Sequence, residues 1–341
     1  MSESKLDRRG FLAGAAGLTG VALAVGAWKP VFAMERESAT APRDLVPAVQ
    51  KVGHIQLTLG ESAAGFISSA EGGNATGDVV VEKVGPDFVA RKHLAGVKYE
   101  DITITAGTGM SKAFYGWIKE AFSGQPVAMS GSIAGANENF KLFTKTDFSG
   151  AVITEVGFPA LDAASKEVAK ITIKFQPELT RRSTTTGSLI PPGPNVFQGK
   201  LLVSNFKLTL NGVNTNFVTS IDPINSKWDF ATQETDIGAS RPELVKIDIP
   251  NLKLRVVESQ SKDFFLWHED FVIKGNNGPD NEKRGSLSFL ASDQKTELFR
   301  LDLSGVGIFA LDPDALTLSS STVRHVTAQL YCDQMVFNFK V

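Results

Sequence analysis

Ile102-Thr-Ile-Thr105, followed after a short gap by Phe114-Tyr-Gly-Trp117, is answered later in the chain by Leu252-Lys-Leu-Arg255 and Phe264-Phe-Leu-Trp267 at the same internal spacing. Roughly 150 residues separate Trp117 from Trp267, a domain-sized offset rather than the short period of a solenoid. The correspondence extends in both directions. Ile55-Gln-Leu-Thr-Leu59 matches Phe206-Lys-Leu-Thr-Leu210, and Phe66-Ile-Ser-Ser69 matches Phe217-Val-Thr-Ser220. Downstream, Gly131-Ser-Ile133 matches Gly285-Ser-Leu287, and Asp147-Phe-Ser-Gly150 matches Asp302-Leu-Ser-Gly305. Ser165, Val168 and Ile171-Thr172 then match Ser320, Val323 and Val326-Thr327. The apolar skeleton repeats while the polar residues change, as expected of a scaffold; a catalytic apparatus would mark at least one copy.

Most blocks alternate apolar and polar residues with period 2, which places one set of side chains on one face of an antiparallel strand. Leu57/Leu59, Ile102/Ile104 and Ile171/Ile173 are examples. The Trp blocks differ. Phe114, Trp117, Ile118 and Ala121 fall at i, i+3, i+4 and i+7, one stripe of a short helix, with Ser111 leading in and Gly124 placed to end it. Phe264, Trp267 and Phe271 give the second copy the same stripe. The expected fold is mainly β: two tandem β-barrel or sandwich domains with separate cores, each with one packed α-helix anchored by Phe114 and Trp117 or by Phe264 and Trp267.

The expected organisation is a leader at 1–33, a polar lead-in at 34–50, a first domain at 51–179, a Ser/Thr/Pro-rich linker at 180–198 and a second domain at 199–341. In the leader, Asp7-Arg-Arg-Gly-Phe-Leu12 precedes a Gly/Ala/Leu/Val run and then Val31-Phe-Ala33, which resembles a twin-arginine export signal and implies a periplasmic or secreted protein. The other reading of that run is an uncleaved membrane anchor, which its many glycines and short length suit less well. Of 341 residues, 42% are hydrophobic and 21% charged, an ordinary globular balance; the net charge of −2 and the lack of a basic run argue against a nucleic-acid partner. The single cysteine, Cys332, excludes an intrachain disulfide and reads as a buried structural thiol.

Gly96-Val-Lys-Tyr-Glu-Asp-Ile-Thr-Ile104 with Trp117-Ile118, and Phe158-Pro-Ala-Leu-Asp-Ala163 with Ser165-Lys-Glu-Val-Ala-Lys-Ile171, resemble the tail tube proteins of contractile bacteriophages. The first copy is similar to such a subunit from Ile55 to about Pro177. The second keeps Trp267 and the final strand but is expected to carry a longer insertion around Ile221 to Leu244. The resemblance implies tail-tube-like barrels that join edge to edge into rings and tubes, with the chain itself as partner and tube-associated proteins as others. It also implies that the excursion from Glu71 to Lys98, with Gly72, Gly73, Gly77, Val80 and Val81, is an assembly loop; the alternative is a disordered surface loop. An export signal and two copies in one chain both depart from the family pattern. Three chains would then fill six ring positions. The alternative function is a secreted binding module that uses the same β fold to recognise a polymer or protein.

Other constellations read as structure. His54, His93, His268 and His325 lack metal-ligand spacing, and His268-Glu269-Asp270 corresponds to Ile118-Lys119-Glu120, a solvated helix face. Gly275 to Glu282 is oxygen-rich but reads as a turn between strands rather than a calcium loop, and Asp312-Pro-Asp314 likewise. No enzyme, cofactor or metal is expected.

Overall fold

The computed structural model describes residues 51–83, 89–184, 187–190, 201–234, 240–316, 318 and 323–340, all within one compact unit, Gln50–Val341. The leader and lead-in expected at 1–50 lie outside the described residues, as does most of the Pro-rich stretch after Ile190.

The first half runs β1 (His54–Leu59), β2 (Ser62–Gly72), β3 (Ala75–Lys83), β4 (Ala90–Tyr99), β5 (Ile102–Ala106), helix α1 (Lys112–Phe122), β6 (Met129–Ala136), β7 (Leu142–Phe158), β8 (Leu161–Asp162), β9 (Ile171–Gln176) and β10 (Leu179–Thr184). Six of these strands close a barrel in the order β7-β6-β1-β2-β5-β9, with β9 returning to β7 through Val152↔Gln176 and Val156↔Ile173. Alternation supplies the core: Leu57, Ile102, Ile104, Ile171, Ile173 and Phe175 all point inward and are buried.

The second half runs β11 (Phe206–Leu210), β12 (Val218–Ile221), β13 (Ile224–Glu234), β14 (Ser240–Asp248), β15 (Leu252–Val257), α2 (Lys262–His268), β16 (Lys283–Leu290), β17 (Glu297–Pro313) and β18 (His325–Phe339). Its sheet order, β11-β16-β17-β18-β15-β12, is the barrel order of the first half. The registers agree residue for residue. Thr58↔Ser132 corresponds to Thr209↔Ser286, Ile104↔Ile173 to Leu254↔Ala328, and the bulge after Ile153 in β7 to the bulge after Ile308 in β17.

Shared glycines explain part of this agreement. A Cβ on Gly131 would stand 2.0 Å from the Thr58 carbonyl oxygen, and one on Gly285 would stand 2.0 Å from that of Thr209, so only glycine permits the strand contact. Gly150 and Gly305 adopt φ of 62° and 63° at equivalent points of the two longest strands, a conformation that side chains rarely tolerate.

The halves differ at one seam. β1 and β2 are bonded along their length, whereas β11 and β12 do not pair. In the second half the turn after β11 is held by side chains instead: Thr215 Oγ1 donates to the Leu208 carbonyl at 2.6 Å, and the Asn216 N–H donates to Asn214 Oδ1 at 3.1 Å. The first half contributes β8 to the free edge of β12, through Ile221↔Leu161 and Ser220↔Asp162. Ala169 N–H to Leu201 O and Val203 N–H to Glu167 O tie the neighbouring segments.

Three expectations need correction. Leu179–Thr184 is not linker: β10 pairs with β7 from Ser149 back to Thr144, and its arginine and hydroxyl side chains suit a strand whose other margin faces water. The supposed insertion at Ile221–Leu244 is not extra sequence. It is the β13–β14 hairpin, the counterpart of β3–β4. The cores are not separate either, since one continuous apolar cluster spans both halves.

Candidate assembly surfaces

The helices show how the Trp blocks work. In α1, Ser111 caps the N-terminus by accepting from the Phe114 N–H, and Gly124, at φ 75°, turns the chain away beyond the last turn. Phe114 and Trp117 are buried, and the Trp117 indole N–H donates to the Val127 carbonyl at 3.0 Å. In α2, Phe264 and Trp267 are buried in the same way, but the α-helix covers only Lys262–His268 before a wider π turn, Glu269–Ile273, which still buries Phe271. The Lys283 ammonium lies over the Trp267 ring, 5.1 Å from its centroid. Glu269 and Asp270 are exposed, with Lys274 Nζ 3.0 Å from Glu269 and Asn276 donating to Asp270, so this acidic group is a solvated face.

Between the halves runs a band of aromatic rings. Tyr115 of α1 stacks on Phe337 and Phe339 of β18, with centroids at 6.4 and 5.7 Å. Phe158, at the end of β7, packs against Phe289 at 5.5 Å and Phe299 at 6.1 Å. Burial raises the Tyr115 phenol well above its ordinary pKa, and its hydroxyl donates to the Thr108 carbonyl at 2.9 Å. Each buried ring contributes about 1.5–3 kcal/mol of hydrophobic stabilisation, so the band is a strong contact.

The β13–β14 hairpin adds strand pairing to this contact. β13 lies antiparallel to the end of β7 through Ile224↔Phe158, Asn225↔Gly157, Ser226↔Val156 and Lys227↔Glu155. Its apolar face carries Trp228, 2% exposed, whose ring meets Phe122 edge-on at 5.0 Å. Phe230, Leu244 and Ile247 pack on the same core. The second half thus reaches over and pairs with the first.

The β3–β4 hairpin, which contains the loop residues singled out above, has no such neighbour among the described residues. It forms a two-stranded sheet of its own. Gly72 and Gly73, at φ 87° and 73°, bend the chain where the hairpin leaves the barrel; Gly77 faces Val97 across the pair, Val80 is half-buried and Val81 exposed.

Chemistry-bearing groups are dispersed. Among the described residues no three His, Cys, Asp or Glu side chains gather in metal-binding geometry. His54 stacks on Phe140 at 3.8 Å, His93 lies in β4, and the backbone N–H of His325 donates to the Asp314 carboxylate. The Cys332 thiol is buried against the Ser304 and Gln334 carbonyls, and desolvation pushes its pKa up to about 11. Gly275–Glu282 joins a helix to a strand, not two strands, and contains a 3₁₀ turn at Pro279–Asn281. A cavity of about 340 Å³ opens at the β11/β12 seam, lined by Phe206, Leu208, Thr215 and Val218 among others. No described helix is long and apolar enough to cross a membrane.

No protein-family model and no curated protein matches the chain. Solved structures do. One is the sheath–tube complex of an extracellular contractile injection system, PVC, at 20% identity over 41% of this chain and 95% of that one, with a TM-score of 0.36. A second is the tube-terminating cap of the anti-feeding prophage, at 23% identity, 43% and 99% coverage and a TM-score of 0.38. A third is Hcp1 from Flavobacterium johnsoniae, at 17% identity, 40% and 95% coverage and a TM-score of 0.25.

Proposed function

We propose that this chain is an exported, self-assembling structural protein: a tandem duplication of a tail-tube-like barrel whose work is done by barrel-to-barrel contacts and not by catalysis. The observation that carries this reading is the pairing of β13 with β7 over an aromatic band, which joins a closed barrel and an open one of the same strand order into one body. Such a contact is heterologous, since the surfaces that meet are different, and heterologous contacts between like units extend into rings or filaments. Three chains supply six barrels for a closed ring. Export by a twin-arginine route places that assembly in the periplasm or outside the cell.

The test is the mass of the purified protein by light scattering across a concentration series, with negative-stain images of the same samples. Rings, tubes or a trimer are the expected outcome. Discrete two-lobed monomers at high concentration overturn the reading and favour a secreted binding module.

A further inference from the structure

The two hairpins are the same element twice. In β13–β14 the pairs run Lys227↔Asp248, Trp228↔Ile247 and Asp229↔Lys246, then a bulge, then Phe230↔Leu244. In β3–β4 they run Thr76↔Lys98, Gly77↔Val97 and Asp78↔Gly96, then a bulge, then Val79↔Leu94. Opposed residues in an antiparallel pair share a face. The face that carries Trp228, Phe230, Leu244 and Ile247 in the docked hairpin therefore carries Gly77, Val79, Leu94 and Val97 in the other. There it lies open: Val79 is 58% exposed, Leu94 71% and Val97 62%. The opposite face carries the charges, with Lys98 Nζ 2.6 Å from Asp78 and His93 within 3.9 Å of Glu82, beside a half-buried Val80. A two-stranded ribbon with one apolar and one charged face has a side to bury.

The seat used by the docked hairpin has a counterpart as well. Trp228 packs on Phe122, and Ile247 Cδ1 lies 3.7 Å from where a Cβ on Gly124 would stand. Counted from Trp117 and Trp267, Phe122 falls at Val272; the wider π turn then adds one residue, so Gly124 (φ 75°) is matched by Gly275 (φ 74°) and the place of Phe122 is shared by Val272 and Ile273, with Lys274 beside them. Val272 is exposed, the next residue Ile273 is 71% exposed, and Phe265 and Leu266 on α2 are exposed beside them. Thus the chain carries one filled copy of the contact and both halves of an unfilled one.

We infer that the β3–β4 hairpin of one copy seats its Val79, Leu94 and Val97 face on the Val272/Ile273 surface of α2 in a second copy, repeating between chains the contact that β13–β14 makes within one. This rests on the self-assembly reading and specifies its interface. The contact between copies is weaker than the internal one, for two visible reasons. Gly77 stands where the internal hairpin has Trp228. The β17 segment that corresponds to the β7 edge is Ala310–Pro313, and Pro313 has no N–H to donate, a recognised blunting of a sheet edge. The chain is thus built to be joined permanently inside and reversibly outside.

The test uses two full-length variants, Leu94→Asp with Val97→Asp in the hairpin and Ile273→Asp in the seat, all exposed positions at which the melting temperature should not change. Sedimentation should show each variant alone associating at least about tenfold more weakly than wild type, as for loss of an apolar anchor. Mixed together they should give a one-to-one heterodimer and nothing larger, because each retains the half the other lacks. A second measurement is independent of that perturbation: Val97→Cys protein mixed with Lys274→Cys protein should form a mixed disulfide under mild oxidation. If wild type assembles but the variants assemble equally well and no cross-link forms, the interface is overturned while self-assembly stands. If wild type is monomeric throughout, both fall.

Discussion

Trp228→Ala probes the contact that joins the two barrels. The ring is 2% exposed and meets Phe122 edge-on at 5.0 Å, so its truncation removes a large buried apolar surface. Losing a buried Trp side chain costs about 3–5 kcal/mol. Against this, the Trp228 indole N–H is buried with no hydrogen-bond partner among the described residues, and removing such an unsatisfied donor returns about 1–3 kcal/mol. The net loss is therefore about 2 kcal/mol, a fall of roughly 4 °C in melting temperature for a unit of this size. Trp228→Phe keeps most of the ring contact while deleting the unpaired N–H, and should cost no more than about 1 kcal/mol. Urea unfolding followed by fluorescence measures both, and hydrogen exchange localises the effect: amides of β13 and β14 should lose protection before those of β1 and β6. The reasoning is refuted if Trp228→Ala changes the melting temperature by less than about 1 °C, or if Trp228→Phe is as damaging as the alanine variant.

Two further outcomes follow from local geometry. Gly131→Ala and Gly285→Ala should each destabilise by about 1–3 kcal/mol, because the new methyl would overlap a carbonyl in the paired strand; thermal melts that leave either variant unchanged would contradict the shared register. Asp293 accepts from the Thr296 hydroxyl and the Lys295 and Thr296 amides in the β16–β17 turn, which hold its carboxyl down at about 2. The folded-state pKa is depressed, so its stabilisation is present above the ordinary carboxylate range and is lost as pH falls towards 2. Asp293→Asn should flatten the acid limb of the stability curve between those limits, as read by urea midpoints at a series of pH values.

Much of this architecture was legible from residue order. Alternation marked most of the barrel strands, the i, i+3, i+4, i+7 stripe marked α1, and the recurrence of Gly131-Ser at Gly285-Ser marked the duplication, which the structure explains by a close backbone approach at both positions. The second hairpin was misread because its residues were replaced, not added. Trp228 and Phe230 serve a docked surface where Gly77 and Val79 serve an open one, and docking changes the chemistry without changing the register. Similarity of side chains hides such a correspondence; bulge position reveals it. The strand at Leu179–Thr184 escaped because two arginines and a run of hydroxyl side chains look like solvated linker, and an edge strand that leaves one margin in water tolerates them. The common core was invisible for a different reason. Phe158, Phe289, Phe299 and Phe337 each read as the inner face of a local strand, and no periodicity says which barrel a ring will touch. Phe114, Trp117, Phe264 and Trp267 are buried, and Gly72 and Gly73 form the bend at the root of the free hairpin.

The aromatic band between the halves has a consequence for how the chain is divided. Severing it in the Pro-rich stretch beyond Ile190 would strand Tyr115, Phe122 and Phe158 on one fragment and Phe299, Phe337 and Phe339 on the other, each set facing water. Neither fragment would be a smaller version of the parent. The indivisible piece is the pair, and any larger object made from this protein must be counted in twos.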